Sequence, residues 1–176
     1  ILVVVSLCAY FMLRKAKRTG KAPHIRKIGA LDGVNELIGR AVELGRPVLM
    51  SPADGATLRG SEAAETQAAL SVINYATRMS ARLGARTITA VGGDYGAEVL
   101  PVVIDSARNA YASEGKSEKF DPNSVLYISG EQMSFAAGVM GITVRERVAS
   151  SILIGPWKGA YLPIVLAGID AGAMQI

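Results

Sequence analysis

From Leu31 onward, short apolar runs alternate with longer amphipathic segments, and this alternation restricts the fold more than any other feature of the sequence. The apolar runs are five or six residues long: PVLMS at 47–51, TITAVG at 87–92, VLYIS at 125–129 and SILIG at 151–155. Apolar residues recur at helical spacing in the segments around them: Leu31–Leu44, Glu62–Leu83, Tyr95–Glu114, Glu131–Val148 and Gly159–Gly172. Runs that are apolar throughout are typical of strands covered on both faces.

Strands that alternate with helices in this way indicate βαβ units, which place parallel strands in one sheet through right-handed crossovers. We therefore predict an α/β fold, a three-layer sandwich with an open, mainly parallel sheet of about five strands (Rossmann-like), preceded by a transmembrane helix. Ala173–Ile176 begins a further apolar run. Gly138 and Gly141 lie inside the predicted helix 131–148, where each costs roughly 1 kcal/mol relative to alanine. Close packing against the sheet is the favoured explanation, and packing against another subunit is the alternative.

The N-terminal segment has a separate organisation. Residues 1–13 contain no charged side chain, and the stretch that follows is basic, with Arg14, Lys15, Lys17, Arg18 and Lys21. This order predicts a transmembrane anchor at 1–13, a basic juxtamembrane linker at 14–30 and a cytoplasmic α/β domain at 31–176. Residues 1–13 as a helix span about 20 Å, less than a hydrocarbon core of about 30 Å, so we expect the anchor to be incomplete. A buried helix is the alternative.

Charge and residue counts exclude several classes of function. Seven of the 19 basic residues lie between Arg14 and Lys27, and no acidic residue precedes Asp32. The rest of the chain carries 12 basic and 15 acidic residues, a balance that does not attract nucleic acid. A single cysteine and a single histidine exclude a disulfide framework and Ser-His-Asp or Cys-His catalysis, and they argue against a transition-metal site. Cys8 lies in the apolar run and His24 in the linker, so neither marks a site.

The loops that follow the predicted strands form the candidate site, because ligands of an open parallel sheet bind beyond the carboxyl ends of its strands. These loops also contain Asp54, Pro156 and Lys158. We select one group of loop residues as possible ligand-binding positions: Ser51, Gly55, Gly92, Gly93, Asp94, Ser129, Gly130, Glu131 and Trp157. These residues identify no cofactor and no metal. A non-enzymatic protein is favoured because they form no coherent catalytic set, and an enzyme with a carboxylate-based mechanism is the third hypothesis.

Two of the loops have a structural interpretation beside the functional one. Gly55–Glu62 has the glycine spacing of a phosphate-binding P-loop, but Ser61 stands where that motif requires lysine. The favoured interpretation is a simple strand-to-helix connection with Ser61 as the helix N-cap. Trp157 is interpreted as a subunit or bilayer contact, as part of a pocket wall, or as a half-buried anchor of its own loop.

The remaining two loops contain residues that are suited to helix caps. Asp94 is expected to cap the helix that follows it, and Ser129 with Gln132 matches a capping box. Glu131 then complements the dipole of its helix. The functional alternative is that Asp94 and Glu131 meet as a carboxylate pair for metal binding or acid/base chemistry.

Three stretches resemble an uncharacterised family of membrane-anchored bacterial and archaeal proteins, known only as a domain of unknown function. They are GRAVELGRPVLMSPA at 39–53, YISGEQMSFAAGVMG at 127–141 and IGPWKGAYLPIVLAGIDAGAMQI at 154–176, of which the last two are the more specific. The resemblance covers most of the chain after the linker. It implies membrane attachment and a further apolar segment beyond residue 176, and it carries over no activity or catalytic residue.

The sequence thus predicts a protein of the cell membrane, with a single N-terminal anchor and the α/β domain in the cytoplasm. We expect a non-enzymatic component that self-associates or scaffolds a larger membrane complex, with membrane lipid and other copies of the chain as partners and no nucleic acid. The alternative is a membrane-tethered module that binds a small ligand or nucleotide through the strand-end loops.

Overall fold

The computed structural model describes residues 2–19 and 29–176, in two compact units that divide between Leu31 and Asp32. The helices are α1 (Leu2–Thr19), α2 (Gly29–Asp32), α3 (Val34–Leu44), α4 (Ala63–Leu83), α5 (Gly96–Ser113), α6 (Gln132–Arg145) and α7 (Tyr161–Asp170). The strands are β1 (Val48–Ser51), β2 (Thr87–Val91), β3 (Val125–Tyr127), β4 (Ser150–Leu153) and β5 (Met174–Gln175). Short 3-10 turns at Ser117–Lys119 and Pro122–Ser124 connect α5 to β3.

The strands form one parallel sheet in the order β3-β2-β1-β4-β5. This is the order of a doubly wound sheet, in which the chain reverses its direction of growth between β1 and β4. The register pairs Leu49 of β1 with Ile88 of β2 and Ser151 of β4. The α/β class and the five-stranded parallel sheet that the sequence predicted are therefore confirmed.

Neighbouring residues of β4 show how the two faces of the sheet are covered. The Ser150 hydroxyl donates to the carbonyl of Leu37 in α3 (3.0 Å), whereas the Ser151 hydroxyl donates to Gln175 Oε1 on the opposite face (3.2 Å). Helices α3, α4 and α5 cover the first face, and α6 and α7 pack together on the second, where Phe135 and Ile164 are fully buried in the core. The sheet therefore lies between two helical layers.

The two glycines inside α6, Gly138 and Gly141, differ in what lies next to them. A Cβ on Gly138 would lie 2.2 Å from Ile128 Cγ2, so this glycine allows α6 to pack closely on the end of β3, as predicted. A Cβ on Gly141 would approach only the guanidinium of Arg145. Packing against the sheet therefore explains the glycine at position 138 but not the glycine at position 141.

The N-terminal unit contains α1, which continues past the apolar run into the basic stretch. Its described apolar side chains are exposed, and the free thiol of Cys8 is exposed as well. Within residues 2–19 and 29–176, no helix is both long enough and apolar enough to cross a membrane. The predicted transmembrane helix is thus unsupported, because α1 also includes basic positions from Arg14 to Arg18. Lys21 and His24 lie outside the described residues.

Candidate functional site

The loops after β1, β2, β3 and β4 meet at the carboxyl edge of the sheet, as the parallel topology predicts. The amide of Gly55 donates to the carbonyl of Pro156 (2.9 Å), which joins the loops after β1 and β4. The amide of Gly93 donates to the carbonyl of Ser129 (2.8 Å), which joins the loops after β2 and β3. The side-chain amide of Gln132, at the start of α6, donates to Asp54 in the loop after β1 and links these two pairs, so the four loops form one hydrogen-bonded surface.

Asp54 is the most highly connected side chain at this edge, and only 3% of it is exposed. Its carboxylate accepts hydrogen bonds from the backbone N–H groups of Lys158 (2.9 Å), Gly159 (3.3 Å) and Ala160 (3.3 Å), which lead into α7. The side-chain amide of Gln132, at the start of α6, donates a fourth bond at 2.5 Å. Asp54 therefore fixes the first turns of both helices of the second layer to the end of the central strand β1.

The electrostatics of Asp54 follow from these bonds. Burial raises the pKa of the Asp54 carboxyl, but the hydrogen bonds from Lys158, Gln132 and the following backbone amides favour the charged form and together lower the pKa below its usual value. The aspartate is therefore held as an anion by donors of its own chain. This arrangement is a buried structural anchor.

Glycines at the edge are required by contacts between loops. Gly93 has φ +84°, and a Cβ there would lie 1.8 Å from the carbonyl oxygen of Asp54. Gly155 has φ +135°, and its Cβ would lie 2.2 Å from the carbonyl oxygen of Pro52. A Cβ on Gly55 would meet the carbonyl of Pro156 at 2.3 Å. The space beside these glycines is occupied by neighbouring backbone.

The P-loop-like segment is held by a carboxylate from α5. Glu98 Oε1 accepts from the Thr57 hydroxyl (3.0 Å) and from the backbone N–H of Leu58 (3.3 Å), and Glu98 Oε2 pairs with Arg59 (3.1 Å). A phosphate-binding loop directs its backbone N–H groups at an anionic ligand. Here Glu98 supplies the anion, which supports the interpretation as a connection. The proposed N-cap, Ser61, is replaced by Glu62, which precedes α4 without a side-chain cap bond.

The capping predictions for the other two loops are wrong in detail. Asp94 is exposed and pairs with Lys158 Nζ (3.5 Å), while Tyr95 occupies the N-cap position of α5. Glu131, rather than Ser129, caps α6: its carboxylate accepts from the amides of Met133 (2.9 Å) and Ser134 (2.6 Å), and these bonds lower its pKa. The hydroxyl of Ser129 accepts from the amide of Glu131 instead (3.0 Å).

The carboxylate-pair hypothesis gains no support from these contacts. Asp94 is bonded to Lys158 and Glu131 to its own helix, so each carboxylate has a different partner. Among the described residues, no group of three or more His, Cys, Asp or Glu side chains is arranged to hold a metal ion. Ser51 and Gly92 are buried, and Gly130 is partly buried beside the Tyr127 hydroxyl.

Trp157 behaves as the anchor of its own loop. It is partly buried against the core beneath α6 and α7, and its ring lies 5.6 Å from that of Tyr161. Its indole Nε1 is buried and finds no acceptor in the part of the chain that the structure describes. Of the alternatives for this residue, the half-buried anchor fits these contacts.

Sequence reasoning placed Asp54 in the correct loop but did not select it, and it assigned Gln132 to a capping box. The available signal was the position of Asp54 in the loop after β1, the strand at the switch point of the sheet. Its partners lie 78 to 106 residues further along the chain, so no local spacing reveals them.

The outer surface of α6 and α7 is the second notable feature of this unit. Large apolar side chains there are mostly exposed, and we call them the α6–α7 face: Met133 (60%), Val144 (63%), Leu162 (69%), Leu166 (59%) and Ile169 (60%). A groove of about 390 Å³ runs between the helices and is lined by Met140, Gly141, Val144, Pro163, Leu166, Ala167 and Asp170. Exposed apolar patches of this kind mark interaction surfaces in proteins.

These features define an α/β protein with a doubly wound parallel sheet, whose strand-end loops bind one another. A family model described as "Domain of unknown function (DUF6754)" matches residues 1–176, so the chain belongs to that family. The resemblance to an uncharacterised family is thereby confirmed, although the match says nothing about membrane attachment. No curated protein and no solved structure matches the sequence.

Proposed function

We propose that the protein is a membrane-attached, non-enzymatic component that self-associates through the α6–α7 face. The observation that carries this proposal is a set of exposed apolar side chains on two helices that pack together: Val144 on α6, and Leu162, Leu166 and Ile169 at i, i+4, i+7 spacing on α7. Val144 and Leu166 line the same groove. Fully burying a side chain of this size stabilises a protein by about 1.5–3 kcal/mol, so covering several of them gives a strong driving force for association.

The carboxyl edge supports a structural role for the loops. The donors that would receive an anionic ligand are bonded to Asp54 and Glu98, and the glycines are in contact with neighbouring backbone. A small ligand at this edge, the competing function, has to displace those contacts first. Breaking them exposes buried polar groups, which costs about 1–3 kcal/mol for each group.

Helix α1 supports membrane attachment. Val3, Val4, Val5 and Leu13 are exposed, and at about 100° per residue they lie on different sides of the helix, so the surface of its apolar part is apolar all round. The basic residues that follow favour the anionic headgroups of the cytoplasmic leaflet, at about 1 kcal/mol per Lys or Arg near the surface. An apolar helix and a basic cluster together provide two signals for stable attachment.

We expect glutamate at both Leu162 and Leu166 to abolish self-association. These side chains are exposed, so the variant should fold, but two buried carboxylates would oppose the contact and lower the affinity by about 100-fold or more. Native mass spectrometry of the full chain released from mild detergent measures the copy number. The matched control is Val102→Glu on α5, an exposed apolar position on the opposite face of the sheet. A wild-type chain that stays monomeric would overturn the proposal.

Membrane attachment is tested by changing the four basic residues in the last part of α1 to glutamine: Arg14, Lys15, Lys17 and Arg18. We expect the full chain to float with phosphatidylcholine vesicles that contain phosphatidylglycerol, and the changed chain to lose about tenfold or more of its partitioning. The control replaces four exposed basic residues of the α/β unit, Arg40, Arg86, Arg108 and Lys119, and should float like the wild type. Equal flotation of both variants, with or without the anionic lipid, would contradict the role of the basic cluster.

A further inference from the structure

We infer that the α6–α7 face pairs with the same face of a second copy about a two-fold axis parallel to the helices. In this arrangement α6 of each copy packs against α7 of the other. The inference rests on the proposed self-association and adds its geometry. It predicts an isologous contact, in which each copy contributes the same residues twice.

The direction of the helices limits the possible arrangements. Both α6 and α7 return from the carboxyl edge of a parallel sheet to its amino edge, so they run in the same direction and end at the same side. Arg145 ends α6 and Asp170 ends α7. A two-fold axis along the helices therefore places Arg145 of one copy beside Asp170 of the other, on both sides of the axis.

Charge complementarity selects this arrangement. Arg145 and Asp170 are both exposed, and neither forms an ion pair with another residue in the described part of the chain. A two-fold axis across the helices would instead reverse them and place Arg145 over Glu131 at the start of α6 and Asp170 over Lys158 at the start of α7. Those side chains are already engaged, because Glu131 binds two amides of its own helix and Lys158 pairs with Asp94. The axis along the helices gives both unpaired charges a partner of opposite sign.

Gly141 provides an independent reason for a contact at the groove. Its Cβ would approach only the end of the flexible Arg145 side chain, so the fold itself does not require glycine there. Glycine is the poorest helix former after proline, yet it stands inside α6 between Met140 and Val144. The missing side chain deepens the groove, which allows a side chain of a second copy to approach the helix backbone.

The first test fills the groove with Gly141→Leu. We expect the dissociation constant for self-association to rise about tenfold or more, while thermal stability stays equal or increases because leucine is the better helix former. The matched control is Gly39→Leu in α3, a helical glycine whose Cβ would meet nothing within 4 Å and which lies among Glu36, Arg40 and Glu43. The control should self-associate like the wild type.

The second test exchanges the charges. Arg145→Asp and Asp170→Arg should each weaken self-association at low salt by about tenfold, and the chain that carries both changes should recover it. Native mass spectrometry of the full chain in mild detergent measures all variants. If the wild type assembles and none of these variants differs from it, the two-fold contact is wrong while self-association stands.

Two other outcomes show whether a second copy of the chain is what covers the α6–α7 face. A wild-type chain that is monomeric in detergent and in membranes overturns both the inference and the proposed function. If Gly141→Leu and the charge variants leave the copy number unchanged but reduce flotation with phosphatidylglycerol vesicles, the α6–α7 face contacts lipid, and the inference is overturned.

Discussion

Asp54→Ala is expected to lower the free energy of unfolding by about 3–5 kcal/mol. The substitution leaves the amides of Lys158, Gly159 and Ala160 and the side chain of Gln132 without their acceptor. Unsatisfied buried donors each cost about 1–3 kcal/mol, although water entering the loop offsets part of the sum. Urea unfolding of the full chain in mild detergent, followed by the fluorescence of the single tryptophan, measures the change.

The control for this prediction is Asp94→Ala. Asp94 forms an exposed ion pair with Lys158 at 3.5 Å, and pairs of this kind contribute about 0–1 kcal/mol. Asp54→Asn keeps one acceptor oxygen and should fall between the two alanine variants. Equal losses for Asp54→Ala and Asp94→Ala would contradict the anchoring role of the Asp54 carboxylate.

The way in which stability falls at acid pH should also depend on Asp54. Because the folded-state pKa of Asp54 lies below its ordinary value, the carboxylate contributes stability above the unfolded pKa, about 3.9, and loses it as the pH falls through the folded pKa. The difference in stability between the wild type and Asp54→Ala should therefore be full near neutral pH and shrink below about pH 4. A difference that stays constant down to acid pH would mean that another group carries the effect.

The secondary structure could be predicted because its signals are local. Gly45 and Gly84 end α3 and α4 in the left-handed conformation, and apolar runs mark β1, β2, β3 and β4. The order of the strands is not a local property, since β1 pairs with β2 and with β4, about a hundred residues further on. Two-residue β5 becomes visible as a strand only through its pairing with β4.

The site was predicted less completely, because several residues competed for the same role. Ser129 and Glu131 are both able to cap α6, and the sequence favoured Ser129 with Gln132 as its partner. In the structure Gln132 turns to Asp54, and Glu131 takes the cap position. The choice depends on a contact between distant loops, which the spacing within one loop does not contain.

Gly93→Ala is expected to destabilise the protein by about 3–5 kcal/mol, because two costs add. An L-residue at φ +84° costs about 1–2 kcal/mol, and the new Cβ would lie 1.8 Å from the carbonyl oxygen of Asp54, so the backbone has to move. Gly84→Ala is the matched control: its φ is +80°, but nothing lies within 4 Å of the added Cβ, so only the first cost applies. Urea unfolding of both variants separates backbone strain from the close contact.

The effects of Asp54→Ala and Gly93→Ala are expected to be coupled, and measuring the coupling tests whether the strand-end loops act as one unit. A methyl group at Gly93 displaces the Asp54 backbone, which pulls the carboxylate away from the amides that lead into α7. The double variant Gly93→Ala/Asp54→Ala should therefore lose less stability than the sum of its single variants, by about 1–2 kcal/mol. Gly84→Ala combined with Asp54→Ala should be additive, since Gly84 ends α4 and contacts no strand-end loop. Additive losses in both pairs would show that the loops are held independently.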